Sequence, residues 1–307
     1  MIIQLTEAYL NNLTESEVSD LYYCVVRNCH YISCDNAALN VLKGAIEHCG
    51  SRSQRQLVKS VKQGHLTAEL RRYLTTIKAN QYTYGELMTI VTKPSCLMIE
   101  NLSNESDVYR SIIGTYAGDP KFRNLFMKLD DAKRKGWLTF LHAGGFGDMK
   151  PLLDYYDSHD YENVADKKIG VLMDRDTENG NTFPSKRQNL FSMLSGKSAT
   201  TLTNADIYTL STGPYVWHMW HKRAIENYFP PVQFDHLGFP SSTAPTLPAD
   251  WSYKDLGKIT HYKKSRLPEL RVGMSRSDYE NNCSQFPIIG GSVSEIQLLL
   301  LKLVKLI

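Results

Sequence analysis

Apolar residues recur at three- and four-residue intervals through the first stretch of the chain. Thr14-Glu15-Ser16-Glu17 is a capping box, and Val18, Leu21, Tyr22 and Val25 follow it on one helical face. The same spacing predicts helices over residues 37–48, stopped by Gly50, over 55–62, ended by Gly64, and over 67–78. Thr83 and Glu86 form a second capping box. Residues 1–92 therefore read as an N-terminal helical region.

The texture then changes. Short apolar runs of four or five residues end in polar ones: 96–99 before Glu100, 137–141 before His142-Ala143-Gly144-Gly145, and 169–173 before Asp174. A fourth run covers 207–210. Helical spacing separates them at 107–116, 148–156 and 185–194. Short buried strands alternating with helices predict an α/β unit over 93–235, with a mainly parallel sheet flanked by helices. In such sheets ligands gather at the carboxyl ends of the strands. Beyond 236 a Pro/Ser/Thr-rich loop (237–250) and a basic stretch precede a C-terminal helical extension. Its capping box is Ser294/Gln297, and it is apolar on nearly all faces to Ile307. That helix is expected to be buried against the body or shared with a second copy, giving a homo-oligomer. No internal repeat is evident.

Composition narrows the class. Hydrophobic residues make up 42% and charged residues 22%, as in folded globular proteins. The net charge of +3 gives no global field for nucleic acid, so local patches must carry any such contact. Two patches stand out. Arg52, Arg55, Lys59 and Lys62 fall on one helical stripe, followed by Arg71, Arg72 and Lys78. Lys254, Lys258, Lys263, Lys264, Arg266, Arg271 and Arg276 form the second, interleaved with Tyr253 and Tyr262. Such stripes suit phosphate backbones, although a solvated face is the commoner meaning of a charge run. No basic and apolar leader opens the chain, and the apolar C-terminal run is too short to span a bilayer, so a cytoplasmic protein without a membrane partner is expected. Cys24, Cys29, Cys34 and Cys49 lie near His30 and His48. They lack the paired spacing of a zinc site and read as buried thiols.

The chemistry lies in the carboxylates. An Asp-x-Asp at a strand end, Asp174-Arg175-Asp176, projects two acids to one side if the pleat continues, with Arg175 opposite. Glu100, on another strand, can complete an all-oxygen set of the kind hard divalent cations prefer. The order of motifs resembles the TOPRIM nucleases, and within them the OLD-like defence-associated group. These are a strand ending in Glu100, the Gly144-Gly145 turn, the Val171-Leu172-Met173-Asp174-Arg175-Asp176 strand, and Ile225-Glu226-Asn227-Tyr228. The resemblance covers roughly residues 93–235. It implies a TOPRIM-like core with Glu100, Asp174, Asp176 and Glu226 as catalytic metal ligands for Mg²⁺ or Mn²⁺. It also implies cleavage of phosphodiester bonds in DNA or RNA, a role in anti-phage defence, and a separate ATPase subunit, since the chain has no Walker A motif.

The sequence departs from that family at Asn101 and Asn104, where a glycine and an acid are expected. Glu105 and Asp107 are the nearest acids, and Asp107 also suits a helix N-cap. A lysine near the centre, Lys263 or Lys264, is placed to steady a transition state. Two other readings stay open. Asp174-Arg175-Asp176-Thr177 comes near the opening motif of haloacid-dehalogenase phosphatases, and a catalytically silent TOPRIM-like interaction module fits the same residues.

Overall fold

The computed structural model describes residues 1–28, 30–66, 71–162, 164–165, 167–177, 179, 183, 188–198, 200–210, 215–238, 251–253, 255–256 and 262–307. Expectations for Cys29, for residues 67–70, 185–187 and 239–250, and for Lys254 and Lys258 lie outside the described residues.

The N-terminal region is not purely helical. Strands β1 (Ile2–Gln4), β2 (Tyr31–Ser33) and β3 (Thr76–Lys78) form a parallel sheet in the order β2-β1-β3. Each strand has three residues, too short for alternation to register in the sequence, and each centres on a fully buried isoleucine (Ile3, Ile32 and Ile77). β3 replaces the end of the helix expected over 67–78. Helices Glu15–Arg27, Asn36–Ala45 and Gly50–Leu66 surround this sheet. Gly50 ends a short 3₁₀ turn (Glu47–Cys49) with φ of +79° and also opens the next helix, which runs through Gly64.

The second sheet holds β4 (Ser95–Ile99), β5 (Leu138–His142), β6 (Ile169–Met173) and β7 (Val216–Met219), all parallel, in the order β5-β4-β6-β7. The fourth strand is thus 216–219, while 207–210 follows or ends a short helix, Asn204–Ile207, held by a Thr203/Asp206 capping box. Helices Leu102–Tyr116 and Arg123–Arg134 join β4 to β5, and Phe146–His159 joins β5 to β6. The chain leaves β4 towards one edge, then crosses back to its other side. That reversal places the topological switch point between the carboxyl ends of β4 and β6.

The C-terminal helix (Glu295–Val304) is capped by Ser294, as expected. Ile296, Leu298, Leu299, Leu300, Leu301, Leu303 and Val304 are at most 1% exposed within a single chain. The helix packs on Arg123–Arg134, β7 and the antiparallel hairpin of β8 (Gln285–Ile288) and β9 (Gly291–Ser294). Its apolar surface is buried against the body of the same chain, the first of the two placements expected of it. Ser95 Oγ donates to Leu306 O and Thr75 Oγ1 to Lys305 O, tying the end of the helix to both sheets. Among the described residues no helix is long and apolar enough to cross a membrane.

Candidate functional site

Glu100 and Asp174 follow the adjacent strands β4 and β6, and the register brings them together. The Asp174 amide donates to Glu100 Oε1 at 3.3 Å. Asp174 itself is buried. Its Oδ1 accepts from the Ile225 amide at 3.1 Å and its Oδ2 from Lys264 Nζ at 3.0 Å. The first of these contacts joins the strand end to the one-turn 3₁₀ segment Ile225–Tyr228, which carries Glu226.

Glu226 Oε2 is buried and has no hydrogen-bond partner. Burial, and then the charge of Asp174, push its carboxyl up to about 7, against the opposing pull of Lys264. Glu105 joins the same cluster. It is 3% exposed, its Oε1 lacks a hydrogen bond, and that oxygen lies 3.6 Å from Lys264 Nζ. Burial, and then the charge of Asp174, push Glu105 up to about 8. Its helix starts at Leu102 with Asn101 as N-cap, accepting from the Asn104 amide at 3.3 Å. Asp107 is therefore one turn inside the helix and exposed, and it is not the cap. Glu105 shares a helical face with Val108, Tyr109 and Ile112, an acid at an apolar position, and that spacing was the signal that singles it out.

The second acid of the Asp-x-Asp pair departs from expectation. Asp176 has a left-handed backbone (φ +56°), its amide donates to Arg223 O at 2.9 Å, and its side chain is exposed. The pleat ends at Met173, so this turn, not strand alternation, directs Asp176. A non-glycine residue in this region costs about 1–3 kcal/mol, and such outliers cluster at functional sites. Arg175 does turn away from the acids. It is fully buried and donates to Trp220 O at 3.2 Å, Asn204 Oδ1 at 3.0 Å and Tyr208 OH at 2.6 Å. Gly144 and Gly145 (φ +78° and +119°) form the turn after β5; a Cβ on Gly144 would stand 2.9 Å from Asp148 Oδ2.

Lys264 extends one expectation. Beyond the nucleic-acid contact expected of it, it is an ammonium set among acids, with its pKa raised chiefly by Asp174. Arg266 is likewise engaged, with Glu269 at 2.6 Å, and Arg276 stands 3.7 Å from Asp119. Lys263 remains exposed. The second basic patch is thus broken by acidic partners. By contrast Arg52, Arg55, Lys59 and Lys62 are all exposed along helix Gly50–Leu66. Cys24, Cys34 and Cys49 are free thiols. Among the described residues no group of three or more His, Cys, Asp or Glu side chains stands ready-made to hold a metal ion, and the acids share the Lys264 ammonium.

Glu295, in the first turn of the C-terminal helix, has no counterpart in the sequence reading. Its fully buried carboxylate accepts from His218 Nε2 at 3.1 Å, from the His221 amide at 2.6 Å and from Tyr228 OH. Tyr228 OH in turn accepts from the Lys222 amide at 3.1 Å. Glu295 thereby grips the segment that delivers Glu226.

The raised carboxyl groups give a pH test. A raised pKa means that the folded protein keeps a proton which the unfolded chain releases. The stability contributed by Glu105 is therefore fully present below about 4.5 and is lost as pH rises through about 8. His218, held near 4, and Lys302, held near 7, titrate in overlapping ranges, so the informative quantity is the difference from a variant. In EDTA, the stability of wild type minus that of Glu105→Gln is expected to decline between pH 5 and 8, by up to about 1.4 kcal/mol per pH unit. Urea titrations at several pH values measure it; a difference that is flat or rises with pH removes Glu105 from the coupled cluster.

No protein-family model, no curated protein and no solved structure matches the chain.

Proposed function

We propose that the chain is a metal-dependent nuclease of TOPRIM type, hydrolysing phosphodiester bonds in nucleic acid. The observation that carries this reading is the convergence of Glu100, Glu105, Asp174 and Glu226 near one switch point, with buried oxygens of Glu105 and Glu226 lacking hydrogen-bond donors among the described residues. Buried carboxylate oxygens without donors are costly unless a cation offsets them. The donor set is all oxygen and suits Mg²⁺ or Mn²⁺. Glu100, Asp174, Asp176 and Glu226 would hold the ion, with Glu105 as a further ligand. Such an ion supplies an activated water and offsets charge on the leaving oxygen.

The remaining roles belong to the chain. The Ile225 amide and Glu100 fix Asp174 at the strand end. Arg175, locked behind the strand, keeps the Asp-x-Asp turn from swinging. Lys264 brings a positive charge to where a phosphate would meet the acids. Without the ion, Glu226 and Glu105 are held near 7 and 8, so binding it would release protons at neutral pH. Defence against foreign nucleic acid and a separate ATPase subunit rest on the sequence resemblance and on the absence of a Walker A motif.

The Lys264–Asp174 ion pair favours a second reading, a silent module in which the acids serve structure. One assay separates them. Purified protein is incubated with supercoiled plasmid, linear duplex, single-stranded DNA and RNA, in Mg²⁺, in Mn²⁺ and in EDTA. Cleavage that requires the metal is expected. Intact substrates throughout, together with no Mn²⁺ binding, would leave the silent module. Hydrolysis of small phosphate esters alone would point to the phosphatase chemistry.

A further inference from the structure

Helix Gly50–Leu66 is 17 residues long and contains no aspartate or glutamate. At 100° per residue, Arg52, Arg55, Lys59 and Lys62 fall within an arc of about 80°, and they extend about 15 Å along the axis. Leu57, Ser60 and Val61 occupy the opposite side and are buried, which fixes the rotation of the helix and turns the four cations outwards. None of the four makes an ion pair among the described residues; Arg55 Nε is bonded only to its own helix, at Ser51 O. This contrasts with the surface of helix Arg123–Arg134, where Lys133, Arg134 and Lys135 all face Asp130 or Asp131. An ordinary solvated helix surface mixes its signs in that way. Four like charges four residues apart or fewer repel one another, and nothing within the helix relieves that repulsion.

A groove of about 780 Å³ runs beside the stripe, between this helix and Asn36–Ala45. Lys43 lines one wall, Arg55, Ser51 and Gln54 the other, with Glu47 as the acid in it. The stripe thus has a bordering concavity, whose lining mixes these polar side chains with Gly44 and Val58.

We propose that this face binds the phosphate backbone of nucleic acid, at a surface separate in sequence from the carboxylate cluster. A row of positive charges about 5 Å apart fits a polyanion with regularly spaced charge. A lipid surface fits less well. A membrane-lying helix needs an apolar face at the interface, whereas here Leu57 and Val61 are buried and no large hydrophobic residue over 50–62 is exposed. Contacts of these cations to phosphate would position the polymer and carry no sequence information directly. This binding does not depend on the acids: this surface would hold the polymer, whatever happens to it elsewhere.

The test is fluorescence anisotropy of a labelled single-stranded DNA, its duplex and an RNA of the same sequence, in EDTA, across 50–200 mM salt. The comparison is full-length wild type against Arg52→Gln/Arg55→Gln/Lys59→Gln/Lys62→Gln. Glutamine keeps helix propensity, and all four sites are exposed, so the variant is expected to melt with wild type. Loss of four phosphate contacts lowers the slope of log K against log salt by about three and weakens binding at least about tenfold at the low-salt end. Polyglutamate and phosphatidylserine vesicles serve as the other polyanions. An unchanged slope and affinity, a wild type that binds no nucleic acid, or equal and equally sensitive binding to polyglutamate or vesicles each overturns the proposal. Because the assay runs without metal, binding without any cleavage activity sinks only the nuclease reading. Cleavage with an unaltered salt slope in the variant sinks only this one.

Discussion

Asp174→Asn is expected to lower metal-dependent cleavage by roughly a thousandfold or more, about 4 kcal/mol on the barrier. The amide keeps the shape and can still accept from the Ile225 amide, but it withdraws the anion on which the other acids converge. The sign of the stability change is instructive. From sequence alone, removing one of several crowded acids relieves repulsion, and metal-free stability should hold or rise. The Lys264 ammonium at 3.0 Å from Asp174 reverses that expectation. Breaking a fully buried pair costs about 3–5 kcal/mol. The Lys264 side chain is 38% exposed, so solvent screening reduces the loss to about 1–3 kcal/mol. Melting in EDTA should therefore show a modest loss in the variant. Adding Mn²⁺ should raise the melting temperature of wild type and leave the variant unmoved. A variant that cuts at the normal rate, or that gains as much from Mn²⁺ as wild type does, takes Asp174 out of the centre.

Glu295→Ala should be the most destabilising single substitution near the site. It strips the acceptor from the Tyr228 hydroxyl and His218 Nε2, both fully buried, and from the half-buried His221 amide. Each unsatisfied buried donor costs about 1–3 kcal/mol, and a loss of about 3–5 kcal/mol in total is expected. For a chain of this size that lowers the melting temperature by roughly 5–8 °C. Tyr228→Phe removes one arm only and should cost about 1–2 kcal/mol. The double variant should fall short of the sum, because both act on one network. Equilibrium denaturation of the four proteins measures the coupling. Additive losses, or an alanine variant within 1 kcal/mol of wild type, would show that Glu295 does not grip the Glu226 segment.

The central sheet was legible because its strands are uniformly apolar and end abruptly in polar residues. Glu100 and Asp174 stand beside each other for that reason: the pattern located both strand ends, and parallel register did the rest. Three-residue strands leave no such trace. Thr76–Lys78 read as the end of a helix because its single buried isoleucine fits either period, and Ile2–Gln4 is too short to show alternation. The shift of the fourth strand from 207–210 to Val216–Met219 has a similar origin, since both are short apolar runs and only the Thr203 cap distinguishes the first as a helix. Lys264 looked like one cation among several. Its place among the acids depends on a contact 90 residues away in sequence. Glu295 was invisible for a different reason. An acid in the first turn of a helix is ordinary, favoured by the helix dipole, and nothing local announces three donors from β7 and the segment after it. Glu105 lay between these cases: it was noted as an acid near the expected position, but a helix read over 107–116 left it off the apolar face it shares.

The grip of Glu295 on Tyr228 also sets a clock on synthesis. The two residues are 67 positions apart, and a ribosome adds about 5–20 residues per second, so the carboxylate follows the tyrosine by roughly 3 to 13 seconds. Until then the Glu226 segment lacks its anchor, and the strands of the central sheet lack the apolar helix that covers them. The acids are thus in their final positions only after most of this chain has emerged. A nascent chain carrying the whole Asp-x-Asp strand is still without an assembled centre.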